Sequence, residues 1–436
     1  MLQERIEKWI ESYDQNGYLN GSILIACNGQ IMFNQGFGMA NREHNVPNTP
    51  DTKFLIGSLT KAFTSMSIFQ LHEKNKLNVN DTIDRYFPEY PNGDCISIFH
   101  CLTNTSGIPN YTSSPDFWPY TMRLPSSLNQ LIDSFKGLEC EFEPGSRFEY
   151  SNSGYALLTS IIESTSGMSY SDYIREKICL PTGMLNTGCD DGVKIVSKVA
   201  SGYSFYEEPV RAAYQDMSYP LGAYGLYSTT EDLFMWDKAL KTSQLISKEL
   251  TEIMFTPKYD SYACGWVVSD INGRTCTHHF GDVGGFYSDF LRFVDDEVTI
   301  IFLSNMGVTP VTHLSREIAK VIFGENVSFP LLAKPTHFVN QESISGKYSV
   351  DDTSTVLDIS IINNELYLMV PKMYGVLYKF KLVPVSHDST QTTFLTEMIH
   401  EQLIFRYSAT GEIKYVEYTD YFNEKQILYK VSPTLK

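Results

Sequence analysis

Strand-forming runs at both ends of the first 325 residues, with a helical stretch between them, constrain the fold of this chain more than any other feature. Gly21-Ser-Ile-Leu-Ile-Ala-Cys and Gln30-Ile-Met-Phe-Asn-Gln flank Asn28-Gly29, a pair suited to the left-handed backbone of a two-residue hairpin turn. Strand patterns return over 263–268, 285–293 and 298–304, and a helix is expected over 311–322. From Leu77 to about Thr242 the pattern is helices and loops, among them the helix candidate Tyr155-Ala-Leu-Leu-Thr-Ser-Ile-Ile-Glu. The expected architecture is mixed α/β (α+β): an antiparallel sheet fed from both ends of the sequence and packed on a helical region.

The last hundred or so residues read differently. Phe329-Pro-Leu-Leu-Ala-Lys-Pro has the two prolines of a restricted linker. Beyond it, apolar and polar residues alternate over 355–362, 365–370, 376–383, 402–407, 413–419 and 426–431, with turns at Asn363-Asn364 and Thr410-Gly411. That pattern predicts an all-β meander closed into a small barrel or sandwich. The expected division is a first domain over 1–328, a linker over 329–340 and a barrel over 341–436.

Composition narrows the function. A net charge of −17 without a basic run argues against a nucleic-acid partner or an anionic membrane surface. No apolar run reaches the roughly 18–20 residues of a membrane span. The start, Met1-Leu-Gln-Glu-Arg-Ile-Glu-Lys-Trp-Ile, is charged and amphipathic, so it reads as a packed helix and not as a signal peptide. The eight cysteines form neither a Cys-x-x-Cys pair nor a zinc spacing. Scattered reduced thiols and a cytoplasmic setting are expected for the chain as given, with a secreted or cell-surface setting the alternative if a leader was removed. No metal and no organic cofactor is expected.

Three segments carry chemistry. Ser58-Leu-Thr-Lys61 opens a stretch in which Leu59, Ala62, Phe63 and Met66 recur at helical spacing, so Ser58 falls at a helix start with Lys61 one turn on. A serine there needs a base, and a helix start favours the negative charge that develops during attack. On spacing alone a surface serine and a solvated lysine is the better reading, but Ser-x-x-Lys does not recur in the chain. Tyr150-Ser-Asn152 is unspecific as a Tyr-x-Asn tripeptide, since Tyr18, Tyr90 and Tyr421 open others. Its setting between a Pro-Gly turn and a helix sets it apart. His279-Phe-Gly281 begins a Gly-rich strand start; taken by themselves, His278 and His279 are ordinary strand histidines.

Together and in this order, the segments resemble the serine β-lactamase and penicillin-binding-protein superfamily, in its class C β-lactamase-related branch with D-stereospecific peptidases and esterases. Asn104-Thr-Ser-Gly-Ile-Pro, Phe142-Glu-Pro-Gly-Ser, Pro181-Thr-Gly-Met and Ala223-Tyr-Gly-Leu-Tyr-Ser-Thr-Thr-Glu-Asp-Leu support the resemblance, which spans roughly residues 5–325. The tail resembles the lipocalin-like barrel that some members carry. The resemblance implies Ser58 as acylated nucleophile, Lys61 as its proton partner and Tyr150 as base or shuttle. It implies the backbone N–H groups of Ser58 and Asp282 as oxyanion hole, with Asn152, Tyr224, His279 and Gly281 lining the substrate site. Tyr and Lys are both poor bases at their ordinary pKa, and as a coupled pair they leave the base open between Tyr150 and Lys61. A Lys61 ammonium would favour tyrosinate at Tyr150, whereas burial would favour the neutral amine.

Two departures stand out. His279 and Phe280 replace the Lys-Thr that holds a substrate carboxylate in many members, which favours small esters, amides or D-amino-acid peptides over β-lactams. Asn104 replaces a common histidine, and little effect is expected from it. The implied activity is a serine hydrolase working through an acyl-enzyme. The alternative is a penicillin-binding-like receptor, or a binding protein whose barrel recruits a partner.

Overall fold

The computed structural model describes residues 2–327, 329–330, 335–336, 338, 340–350, 356–371, 377–397, 401–420 and 424–431. Half of the expected linker over 329–340 lies outside the described residues, as do the first residues of the strands expected at 355 and 376. The chain forms two compact units that interleave in sequence, one of residues 20–202 and 213–305, the other of 1–19, 203–212 and 306–436.

In the first unit, β1 (Gly21–Cys27) and β2 (Gln30–Phe37) form the expected hairpin. Asn28 and Gly29 take φ of 50° and 72°, the left-handed pair that joins Cys27 directly to its partner Gln30. The late strands are β3 (Val267–Ile271), β4 (Arg274–Val283), β5 (Phe286–Phe293) and β6 (Val298–Ser304). Among the described residues the sheet order is β3-β4-β5-β6-β1-β2, antiparallel throughout. β1 pairs with β6, Ile23 opposite Phe302, so strands from the two ends of the unit meet inside the sheet. The expected strand at 263–268 begins later, at Val267.

The helix that follows Ser58 runs from Thr60 to Glu73. Its pattern predicts a helix with one apolar face, but every residue from Thr60 to Leu71 is buried. It packs against the helices Asn152–Ser166 and Lys248–Phe255, so its polar side would be costly unless satisfied. It is satisfied: Thr64 Oγ1 donates to the Gly222 carbonyl at 2.7 Å, and Ser67 Oγ donates to the Phe63 carbonyl at 2.8 Å. Phe63 stacks on the buried Trp236 with ring centroids 4.4 Å apart. Arg292 Nε and Thr299 Oγ1 each donate to the Asp237 carboxylate at 2.7 Å, which fastens the helix Thr230–Leu240 to β5 and β6.

In the second unit the helix Leu2–Asp14 buries Ile6, Trp9, Ile10 and Tyr13 and packs on the helix Val311–Phe323. Most of the rest is the lipocalin-like barrel: β7 (Gly346–Ser349), β8 (Val356–Ile362), β9 (Glu365–Pro371), β10 (Leu377–His387), β11 (Gln391–Thr396), β12 (Gln402–Tyr407), β13 (Ile413–Thr419) and β14 (Lys425–Lys430). Each pairs antiparallel with its chain neighbour, and β14 returns to β7 to close the ring. Asn363 and Asn364, at φ of 48° and 61°, make the tight turn between β8 and β9. Alternate residues point inward, and Leu368, Phe380, Phe394, Leu403, Phe405 and Leu428 form a packed core.

Candidate active site

Ser58 sits in a single 3₁₀ turn, Gly57–Leu59, that leads into the buried helix. Gly57 has φ of +52°, a conformation glycine adopts without steric cost. It also lies hard against β4: a Cβ on Gly57 would stand 2.5 Å from the Asp282 nitrogen, and one on Gly281 would stand 3.0 Å from the Ser58 nitrogen. The β3 partner ends at His278, so the edge of β4 from His279 onward is open to this turn. The Ser288 hydroxyl on β5 donates to the Ile56 carbonyl at 2.8 Å and ties the turn to the sheet. The two peptide nitrogens expected of an oxyanion hole, Ser58 and Asp282, are therefore close neighbours.

Lys61 is 0 % exposed, and its Nζ stands 3.1 Å from Ser58 Oγ. It donates to Asn152 Oδ1 at 2.7 Å and to the Ala223 carbonyl at 2.9 Å. The Tyr150 hydroxyl also donates to Ser58 Oγ, at 2.7 Å, and the Lys61 nitrogen is 4.6 Å from the Tyr150 ring centre. Burial holds Lys61 well below the usual lysine pKa and pushes Tyr150 well above the usual tyrosine pKa. Both effects favour neutral groups. The tyrosinate that a Lys61 ammonium would favour is opposed at both partners.

Asn152 opens the helix Asn152–Ser166 and is held from two directions: its backbone N–H donates to Asn110 Oδ1, and its Nδ2 donates to Thr112 Oγ1, each at 3.1 Å. Tyr224 is buried, and its hydroxyl accepts from Tyr111 and from Gln215 Nε2 at 3.2 Å each. That network braces the short helix Leu221–Tyr224, which supplies the Ala223 carbonyl to Lys61. Asn104 does more than expected. It is 1 % exposed with φ of 54°; its carbonyl accepts from Glu149 N at 2.9 Å and its Oδ1 from Ser151 N at 3.1 Å. Tyr150 is thus clamped on both flanks by one residue.

His279 is 5 % exposed. Its Nδ1 donates to the Phe280 carbonyl at 2.6 Å, which leaves Nε2 to accept from the Tyr262 hydroxyl at 3.3 Å. Burial first, and the neighbouring Lys61 second, push its pKa down to about 3. It is a neutral imidazole. Burial raises the Asp282 carboxyl to about 7. Sequence reasoning missed Asn110, Tyr111, Thr112 and Tyr262. The first three follow directly on the Asn104-Thr-Ser-Gly-Ile-Pro loop, a signal that was available; Tyr262 carries no motif. Among the described residues, no His/Cys/Asp/Glu group has the makeup of a metal site, and all eight cysteines are free thiols.

The family profile described as Beta-lactamase matches residues 6–322. The chain is 29% identical over 460 aligned positions to Penicillin-binding protein 4* of Bacillus subtilis strain 168, covering 98% of each chain. It is 31% identical to Protein flp of Staphylococcus aureus strain N315, over 72% of this chain and 65% of that protein. Among solved structures, the octameric penicillin-binding protein homologue from Pyrococcus abyssi superposes with a TM-score of 0.67 at 25% identity, over 98% of this chain and 99% of the other. The D-amino acid amidase of Ochrobactrum anthropi SV3 shares the fold, with a TM-score of 0.64 at 22% identity over 74% of this chain and 99% of that one.

Proposed function

We propose, for a chain that belongs to the Beta-lactamase family and is a serine hydrolase of that fold, that Ser58 is the acylated nucleophile and that small esters, amino-acid amides and D-amino-acid peptides are its substrates. The observation that carries this reading is the pair of contacts on Ser58 Oγ, from Tyr150 at 2.7 Å and Lys61 at 3.1 Å.

A neutral amine has two N–H bonds and one lone pair. Asn152 Oδ1 and the Ala223 carbonyl take the two hydrogens of Lys61, which leaves the lone pair for the serine proton. In acylation the Ser58 proton passes to Lys61 while Oγ attacks the substrate carbonyl. The N–H groups of Ser58 and Asp282 hold the resulting oxyanion. The Tyr150 O–H protonates the departing alcohol or amine and is reprotonated from Lys61. Water then attacks the acyl-serine through the same groups in reverse. Asn152, Tyr224 and Gly281 shape the site, and a neutral His279 offers no cation to a substrate carboxylate. That supports amides and esters over β-lactams. We assign this chemistry to residues 1–328, with 341–436 as an appended barrel joined through 329–340.

Intact-protein mass spectrometry with a fluorophosphonate, and separately with a penicillin, tests the reading. A fluorophosphonate adduct on the wild type that is absent from Ser58→Ala is expected. A stable penicillin adduct without turnover would replace the hydrolase by a receptor, and no adduct on folded protein would overturn the nucleophile assignment.

A further inference from the structure

Alternation along β4 separates two sets of residues. His279 and Gly281 face the Ser58 turn: His279 lies beside Tyr150, with ring centres 6.3 Å apart, and a Cβ on Gly281 would meet the Ile56 carbonyl at 2.1 Å. Phe280 and Asp282 are the partly buried pair on the opposite side. Tyr287 is the cross-strand partner of Asp282, and its ring packs edge-on against Phe280 at 5.4 Å. The Asp282 carboxyl therefore stands beside two aromatic rings. Among the described residues it has no hydrogen-bond or ion-pair partner.

The position matters because the Asp282 peptide nitrogen is the one that lies against Gly57 at the oxyanion position. A carbonyl oxygen bound there brings the rest of the acyl group alongside this residue. In an amino-acid amide the α-nitrogen is two bonds from the carbonyl carbon, and the Asp282 carboxyl carbon is three bonds from its own nitrogen. A carboxylate at that range, with an aromatic face beside it, is the chemistry that selects an ammonium group.

Resting on the hydrolase reading above, we infer that Asp282, flanked by Phe280, is the subsite for the free α-ammonium group of the acyl donor. The preferred substrates are then amino-acid amides and esters, or peptides with a free N-terminus. N-acylated substrates lose this contact.

The test compares D-alanine p-nitroanilide with its N-acetyl counterpart on wild type and on Asp282→Asn. The ratio of kcat/KM, free amine over acetylated, should favour the free amine in the wild type. It should fall about 10- to 100-fold in the variant, the worth of one charge-assisted contact. An unchanged ratio would overturn the inference. Should the variant not fold, binding of D-alaninamide and isobutyramide to Ser58→Ala is measured by calorimetry. At least a 10-fold preference for the amine is expected, and equal affinities would overturn the subsite. This second arm needs no turnover, so an unreactive Ser58 defeats the hydrolase reading without deciding the ammonium site.

Discussion

The Tyr150 hydroxyl donates to Ser58 Oγ at 2.7 Å, across 92 residues of chain. Burial keeps that hydroxyl protonated, so its work is to donate and relay and not to stand as a resting tyrosinate. Tyr150→Phe deletes one oxygen and keeps the ring beside Tyr262, with centroids 6.0 Å apart. The expected result is a fall in kcat/KM of about 10²- to 10⁴-fold, with a melting temperature close to wild type. Steady-state kinetics and thermal unfolding check it.

Lys61 gives a pH signature. A lysine whose folded pKa lies below its ordinary value binds fewer protons folded than unfolded. Stability therefore rises with pH between the lowered pKa and the ordinary value of 10.5, by up to about 1.4 kcal/mol per pH unit. Lys61→Met should lose acylation and lose this slope. Denaturant titrations from pH 6 to 9 on both proteins would show parallel curves if the lysine were charged in the fold.

Asn104 yields a graded pair. Asn104→Ala removes the acceptor of Ser151 N and places a Cβ-bearing residue without a local hydrogen bond at φ of 54°. The cost should be roughly 2–4 kcal/mol. Asn104→Gly tolerates the backbone and loses only the acceptor, so it should cost about half as much. Both should lower kcat more than they raise KM, because the Tyr150 flank is loosened in each. Equal stability of the two variants would refute the backbone part of this account.

His279 acts on acid stability. Its folded pKa of about 3 lies below its ordinary 6.5, so its contribution is intact above pH 6.5 and is lost as pH falls from there towards 3. His279→Gln should flatten the decline in unfolding free energy over that window by up to about 1.4 kcal/mol per pH unit. Chemical denaturation at pH 7, 5.5 and 4.5 measures the difference.

Much of this was legible in sequence because its signals are local. Asn28-Gly29 and Asn363-Asn364 announced their turns through the one conformation they tolerate better than most residues. Ser58, Lys61, Tyr150 and Asn152 carried spacing and setting, and the structure brings them within hydrogen-bonding range of one another. What escaped depends on the surroundings. The Ser58 helix looked amphipathic because Thr64 and Ser67 are polar, and only the carbonyls beside them explain their burial. Strands β7 and β11 were missed; β7 is short, and β11 is a run of Gln, Thr, Phe and Leu with weak contrast between its faces. The neutral state of His279 comes first from its burial, and the Tyr262 hydroxyl that its Nε2 meets lies seventeen positions upstream in a segment without a motif.

The pairing of β1 with β6 has a consequence for synthesis. On the ribosome, the hairpin and the Ser58 helix emerge long before the strand that carries Gly281 and Asp282. The nascent polypeptide holds its serine and lysine early but lacks the second peptide N–H, and β1 has no partner on its β6 side until translation passes Ser304. On the proposed mechanism, reactivity is thus deferred to the last stage of assembly of this unit, and a product truncated before β4 would carry the proposed nucleophile without its second peptide N–H.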